Sequence, residues 1–249
     1  RMLLCAEDLG TIPPACTKLL EEFGIPGNDV QRWTKEWKVK HDFLYPQEYR
    51  EISVAMLSTH DTTNWPAWWE YEAGTIDEAL FIRKCKDKDR VDYNSVKDKL
   101  FNSGLCCYGR LRWLNSVDSV DKLVAILGRK KDELLDFIDL YENSYLEKEK
   151  LWKQLKLEGQ MREKADPEIV KAVLKVTLDS SSIFCINTIV DWFYLTDLLK
   201  GDPYQYRTNT PGTINPENWS LVIPLSLEEL LQHELCLQMK EINSSSGRI

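Results

Sequence analysis

Ile52-Ser53-Val54-Ala55-Met56-Leu57-Ser58-Thr59-His60-Asp61-Thr62 is an apolar run that stops abruptly in a histidine and a carboxylate. Six residues of that composition read as a buried strand, and the polar residues after them read as a loop at its carboxyl end. The same grammar recurs on either side. Met2-Leu3-Leu4-Cys5-Ala6 leads into Glu7-Asp8-Leu9-Gly10, and Ile183-Phe184-Cys185-Ile186-Asn187-Thr188-Ile189-Val190 leads into Asp191. Between the first two runs, Pro13 to Phe23 opens on prolines and closes on Gly24, the asymmetry of a helix with a start and a stop. Gly24-Ile25-Pro26-Gly27 then reads as a turn and Val30-Gln31-Arg32-Trp33 as a short strand. Strands alternating with helices, each strand ending in an acid, predict an α/β chain with parallel strands. Acids at the carboxyl ends of parallel barrel strands project into one polar crater, so Glu7, Asp61 and Asp191 are expected at the same end of neighbouring strands. These strands are too few to close a barrel, so the chain is expected to contribute part of one.

The middle of the chain has a different texture. Residues 75–166 are dense in charge, with acids and bases interleaved as on a solvated helical face. Leu134, Leu135, Ile138 and Tyr141 recur at helical spacing, as do Leu146, Leu151 and Leu155. The expected organisation is a barrel segment over residues 1–74, a helical insertion over 75–166, and a final part over 167–249. That last part holds a helix from Pro167 to Leu178, the last strand, an irregular loop and a terminal helix from Ser226 to Ile242.

Composition narrows the function. The 249 residues are 43% hydrophobic, enough for a substantial core, and carry a formal net charge of −8. An acidic chain gains nothing from a polyphosphate backbone, which argues against nucleic acid as a partner. No apolar run approaches the roughly 20 residues that span a bilayer. Seven cysteines is an odd number. Cys5, Cys16 and Cys185 fall in apolar or helical contexts and read as core thiols, and the adjacent Cys106 and Cys107 lack zinc-knuckle spacing. Reduced, structural thiols point to a cytoplasmic setting.

Two carboxylates flanking one bond are the minimum machinery of glycosidic chemistry. Glu7 is the candidate general acid/base, able to deliver a proton to a departing oxygen. Asp8, adjacent to it, is expected to be structural and to cap the following helix. His60 and Asp61 read as a sugar clamp, with the carboxylate offsetting positive charge that develops at an anomeric carbon. Trp65 and Trp68, in Asn64-Trp65-Pro66-Ala67-Trp68-Trp69, are candidate platforms for sugar faces, although at least one of these three tryptophans is expected to be scaffold. Arg207 and Asn209, in Tyr206-Arg207-Thr208-Asn209-Thr210-Pro211-Gly212-Thr213, offer a guanidinium and an amide to hydroxyls.

Glu7 within AEDLG, the GIPG turn, HD within STHDT followed by a tryptophan pair, and RTNTPGT followed by Asn218-Trp219 together resemble the 4-α-glucanotransferases, the family of amylomaltases and disproportionating enzymes. The resemblance covers both ends of the chain and is weaker in the middle. It implies the C-terminal half of a (β/α)8 TIM barrel acting on malto-oligosaccharides and α-1,4-glucans through a covalent glucosyl-enzyme, with no metal or organic cofactor. It further implies Glu7 as acid/base, Asp61 as transition-state stabiliser, His60 on the same sugar, and Asn209 in contact with glucan. Two departures accompany it. The family's nucleophilic aspartate lies on a strand ahead of the EDLG strand, outside this sequence; Asp29, Asp42 and Asp191 do not stand in its context, so this stretch by itself is expected to be inactive. Val190 stands where the family often carries glutamine. An α-amylase-like hydrolase and a non-catalytic glucan-binding remnant are the alternative readings.

Overall fold

A computed structural model describes residues 2–10, 12–87 and 91–248. The chain divides into two compact units. The first comprises Arg1–Lys35, Phe43–Trp68 and Lys153–Ile249, and the second Glu36–Asp42 and Trp69–Trp152.

The first unit is built on a parallel sheet. Strand β1 (Gly27–Val30) lies beside β2 (Ser53–Met56), which in turn lies beside β5 (Phe184–Cys185). Gly27 pairs with Ser53 and Val30 with Met56, while Val54 and Ala55 pair with Phe184 and Cys185. β2 is central, and Ser53, Val54 and Ala55 are buried, as an apolar strand covered on both faces should be. The buried Ser53 hydroxyl donates to the Arg50 carbonyl at 2.6 Å and shares a hydrogen bond with Ser182 at 2.8 Å. Helix α1 (Pro14–Glu22) begins with proline in its first turn and ends before Gly24, whose φ of +63° only glycine adopts without strain. Helix α7 (Pro167–Leu178) is started by Asp166, whose carboxylate accepts from the Glu168 and Ile169 amides at 3.1 Å, and buries Val170, Val173 and Leu174.

Several expected elements take another form. Residues 2–6 are not a strand: Met2, Leu3 and Leu4 are exposed, and Cys5 is exposed rather than a core thiol. Apolar composition alone does not make a strand when the backbone has no ladder to join; the tie to the neighbouring segment is the Ala6 amide donating to the Pro26 carbonyl at 2.8 Å. The second strand starts earlier than expected, at Gly27, and Gln31–Trp33 is a 3₁₀ turn that carries the Arg32 side chain inward. The last strand stops at Cys185, and Asp191 does not end it. Thr188 instead caps helix α8 (Ile189–Phe193), its hydroxyl accepting from the Asp191 amide. The terminal helix is two: α9 (Leu227–Gln232), held by a Ser226/Glu229 capping box, and α10 (Glu234–Ser245), separated at the extended His233.

The second unit folds around its own apolar core. Helices α2 (Glu78–Lys86), α3 (Tyr93–Leu100), α4 (Val120–Leu127) and α5 (Leu135–Ser144) accompany an antiparallel ribbon, β3 (Thr75–Asp77) with β4 (Arg110–Arg112), which the charge pattern of this region conceals, and helix α6 (Glu147–Leu155) follows α5 in the chain. Phe81 meets Phe101 and Phe137 edge-on at 5.1 and 5.3 Å between centroids. Leu134, Phe137, Ile138 and Tyr141 are buried, whereas Leu135 faces solvent and Phe137 takes its place in the core. Tyr141 and Trp113, the polar-tipped members, are satisfied by the Val117 carbonyl and the Ser144 hydroxyl at 2.8 Å each. No helix among the described residues is long and apolar enough to cross a membrane.

Candidate active site

The turn after β2 carries His60 and Asp61, and its shape is set locally by hydroxyls. The Thr59 amide donates to Thr62 Oγ1 at 3.0 Å, and the Asp61 amide to Thr59 Oγ1 at 3.2 Å. Beneath it lies a buried polar network. Arg32, 3% exposed, donates to Thr63 Oγ1, the Thr63 carbonyl and Ser58 Oγ at 2.9, 2.7 and 3.0 Å. Asp191 is fully buried and accepts from the Trp65 amide at 2.7 Å, Thr188 Oγ1 at 2.9 Å and Ser58 Oγ at 3.2 Å. Burial pushes the Asp191 carboxyl above its ordinary value, against the opposing pull of the Trp65 amide, the Thr188 hydroxyl and the Arg32 charge. Asp191 therefore holds the ends of the His60-Asp61 turn from below. It does not face the crater that its position in the sequence implied.

Glu7 reaches the same place from the other side. Glu7, His60 and Asp61 each present a ligand atom within 4.8 Å of the other two. Glu7 and His60 are exposed and Asp61 is partly so, and His60 Nε2 lies 3.5 Å from Asp61 Oδ1. Three such donors could hold a cation, but an exposed acidic cluster is common without one. The same arrangement places a carboxyl group able to exchange a proton beside a carboxylate able to stabilise positive charge.

The loop 207–219 closes over Asp61. Asn209 Nδ2 donates to Asp61 Oδ1 at 2.7 Å, and Arg207 Nη2 donates to the Asp61 carbonyl at 3.0 Å while its Nε holds the Asn209 carbonyl at 2.8 Å. Both residues expected to face hydroxyls bond to Asp61 in this arrangement. The loop is stiffened by Asn218, which accepts from the Thr210 amide and donates to the Thr213 carbonyl, and by the Trp219 amide bonding the Thr208 carbonyl at 2.8 Å.

Trp65 and Trp68, expected as sugar platforms, are 0% and 5% exposed. A buried indole has no face to offer: Trp65 Nε1 donates to Gln31 Oε1 at 2.9 Å, and Trp68 packs edge-on against Phe43 at 6.3 Å. Trp69 is buried as well. The exposed aromatic at the site is Trp219, 63% exposed, with its ring 5.1 Å from that of His60. Asn218-Trp219 stood out in the sequence beside the Asn209 loop, yet nothing in its neighbours distinguishes an exposed tryptophan from a core one.

Asp8 does not cap α1, whose N-cap is Pro13. It accepts from the Asn28 amide at 2.6 Å and from Arg50 Nη1 at 2.7 Å. Asp29, dismissed as a nucleophile, is buried and engaged by Arg50 Nε at 2.8 Å.

The family model described as 4-alpha-glucanotransferase matches residues 1–226, across the sheet, the carboxylate cluster and the Asn209 loop. This chain belongs to that family. The 4-alpha-glucanotransferase of Chlamydia pneumoniae is 27% identical over 94% of the chain, and that of Chlamydia muridarum 26% identical over 93%. The 4-alpha-glucanotransferase DPE2 of Oryza sativa subsp. japonica is 37% identical over 73 residues, 29% of the chain and 8% of its own length. Among solved structures, the amylomaltase of Corynebacterium glutamicum superposes with a TM-score of 0.50 over 97% of this chain and 28% of its own, at 19% identity, a likeness of fold. The chain spans 30% of the length of the two Chlamydia relatives.

Proposed function

We propose that this chain is the part of a retaining 4-α-glucanotransferase that supplies the acid/base and the stabilising carboxylate to a site completed by the rest of the protein. The observation that carries the reading is the convergence of Glu7, His60 and Asp61 within 4.8 Å. In the proposed reaction Glu7 protonates the glycosidic oxygen of an α-1,4 link as the donor glucosyl unit passes to an aspartate upstream of this sequence. Glu7 then removes the proton from the 4-hydroxyl of a second malto-oligosaccharide, which takes the donor from that aspartate. Asp61 offsets the charge of the oxocarbenium-like transition state, with Asn209 and Arg207 holding it in place, and His60 and Trp219 bind the sugar. The parallel β1-β2-β5 sheet is read as part of a (β/α)8 barrel whose segments, residues 1–74 and 167–249, flank an insertion over 75–166.

The test is product analysis of the full-length protein on maltotriose. Glucose together with longer oligomers is expected; new reducing ends without longer oligomers would instead make it an α-amylase-like hydrolase. Glu7→Gln is expected to lower turnover by about 10²–10⁴-fold with glucan binding kept, the usual contribution of general acid/base catalysis. A loss below tenfold would move that role to another residue.

A further inference from the structure

Glu7 has to be held still by something other than a strand. Residues 2–9 join no ladder, and Ala6 to Pro26 is the backbone tie described above. A proton donor on so loosely paired a segment would wander, and displacement of a reacting group by about 1 Å can cost on the order of 10²-fold in rate. The next residue provides an anchor. Asp8 is 6% exposed in its side chain, against an exposed Glu7, so the two adjacent side chains go opposite ways. The Asp8 carboxylate sits over Gly27: a Cβ there would lie 2.5–2.8 Å from its three terminal atoms, a distance real Cβ atoms essentially never show. It accepts from the Asn28 amide on one oxygen and from Arg50 on the other.

Arg50 is itself immobilised. Its Nε and Nη2 lie 2.8 and 2.7 Å from Asp29 Oδ1, Nη2 donates to the Asn28 carbonyl at 3.0 Å, and its amide donates to Asp29 Oδ2 at 3.2 Å. Burial by itself would lower the guanidinium, but its hydrogen bonds to Asp8 and Asp29 and their charges raise it above its ordinary value, so it stays charged at every working pH. The planar fork spans two carboxylates, one on β1 and one beside Glu7, a task the single ammonium of lysine does not perform.

We propose that Arg50 is a positioning residue for Glu7, acting through Asp8, with the bare backbone of Gly27 as the seat that lets Asp8 dock. The inference rests on the reading of Glu7 as the acid/base.

In the first half-reaction a displaced acid hurts only when the departing oxygen needs a proton, whereas the base role in the second half-reaction is the same for every donor, so the leaving group supplies the test when the first turnover is read. In the full-length protein, Arg50→Met and Asp8→Asn are compared with the unchanged protein and with Glu7→Gln on maltotriose and on α-maltosyl fluoride. Fluoride departs with little protonic assistance. Arg50→Met is expected to lower kcat on maltotriose by about 10–100-fold, with KM within about twofold, and the loss is expected to shrink to within about threefold in the first-turnover release of fluoride, in the pattern of Glu7→Gln. Asp8→Asn leaves the Arg50–Asp29 contacts in place and asks the same question should Arg50→Met fail to fold. Equal losses on both donors, or no loss on maltotriose, would overturn the proposal. If Glu7→Gln itself shows no dependence on the leaving group, the acid/base reading fails and the inference falls with it.

Discussion

Beneath the turn that carries His60 and Asp61, the first unit buries Thr63, Arg32, Ser58 and Asp191, linked in that order by hydrogen bonds of 2.7–3.2 Å. The second unit buries Phe81, Phe101, Trp113, Phe137 and Tyr141, with hydroxyl and indole tips capped by single partners. Both are interiors, and they do different work. Hydrocarbon contacts are non-directional and tolerate small slides, so an aromatic core makes a unit fold without dictating where any one atom lies. A buried network of charged and hydroxyl groups is costly unless every partner is met, and meeting them fixes the backbone that supplies them. The turn bearing Asp61 is held by directional bonds from below and, through Asn209 and Arg207, from above.

The comparison can be broken most forcefully in the aromatic core. Phe137→Ala removes a fully buried ring that meets Phe81, and a loss of about 3–5 kcal/mol in unfolding free energy is expected by denaturant titration. A loss below about 1 kcal/mol would mean that the second unit does not depend on its aromatic packing.

A second, smaller effect tests the polar interior. Asp191→Asn keeps the shape and an acceptor for the Trp65 amide but removes the titration. Because burial raises the folded-state value of Asp191, its protonated form is favoured in the folded protein. Its contribution to stability is then fully present below the ordinary value of 3.8 and is lost as pH rises through the raised folded value. The wild-type protein should therefore gain on Asp191→Asn as pH falls through that window, read as the difference between their melting temperatures. At any one pH the two should differ by no more than about 3 kcal/mol. A difference that is flat with pH, or that runs the other way, would show that Asp191 keeps its charge in the folded state.

The smallest effect sharpens the assignment of aromatic roles. Trp219→Ala should weaken maltotriose binding to the full-length protein by about 1 kcal/mol and leave the melting temperature within error, because the ring is 63% exposed. Calorimetric titration measures it. Unchanged affinity would remove Trp219 from the sugar site.

Legibility followed distance along the chain. Helix α1 was readable from Pro13, Pro14 and Gly24, and α7 from Asp166, Pro167 and a buried stripe at helical spacing, because caps and periodicity act within one or two turns. β2 was readable because a short apolar run bounded by polar residues has few other uses. The α8 helix has a local signal of its own: Thr188 and Asp191 stand at the spacing of a capping pair, and that outweighs the β-branched run before it. The ribbon of β3 and β4 joins residues more than thirty apart and leaves no period in a charge-rich stretch.

By itself the sequence determined the parallel α/β character around Ser53–Met56, and it marked Glu7 and Asp61 as candidates by their place at the ends of apolar runs. Only the tertiary structure decided what surrounds them. Asn209 meets Asp61 across 148 positions, Asp191 meets Trp65 across 126, and Arg50 meets Asp8 across 42. Those partners give Asn209 a bond to the Asp61 carboxylate and make one expected crater acid, Asp191, a buried brace. The physical reason is that burial and hydrogen-bond partnership belong to pairs of residues in space. A residue's own type sets what bonds it can form, and its neighbours in the chain set its local conformation; which partner it meets is settled when the strands pack.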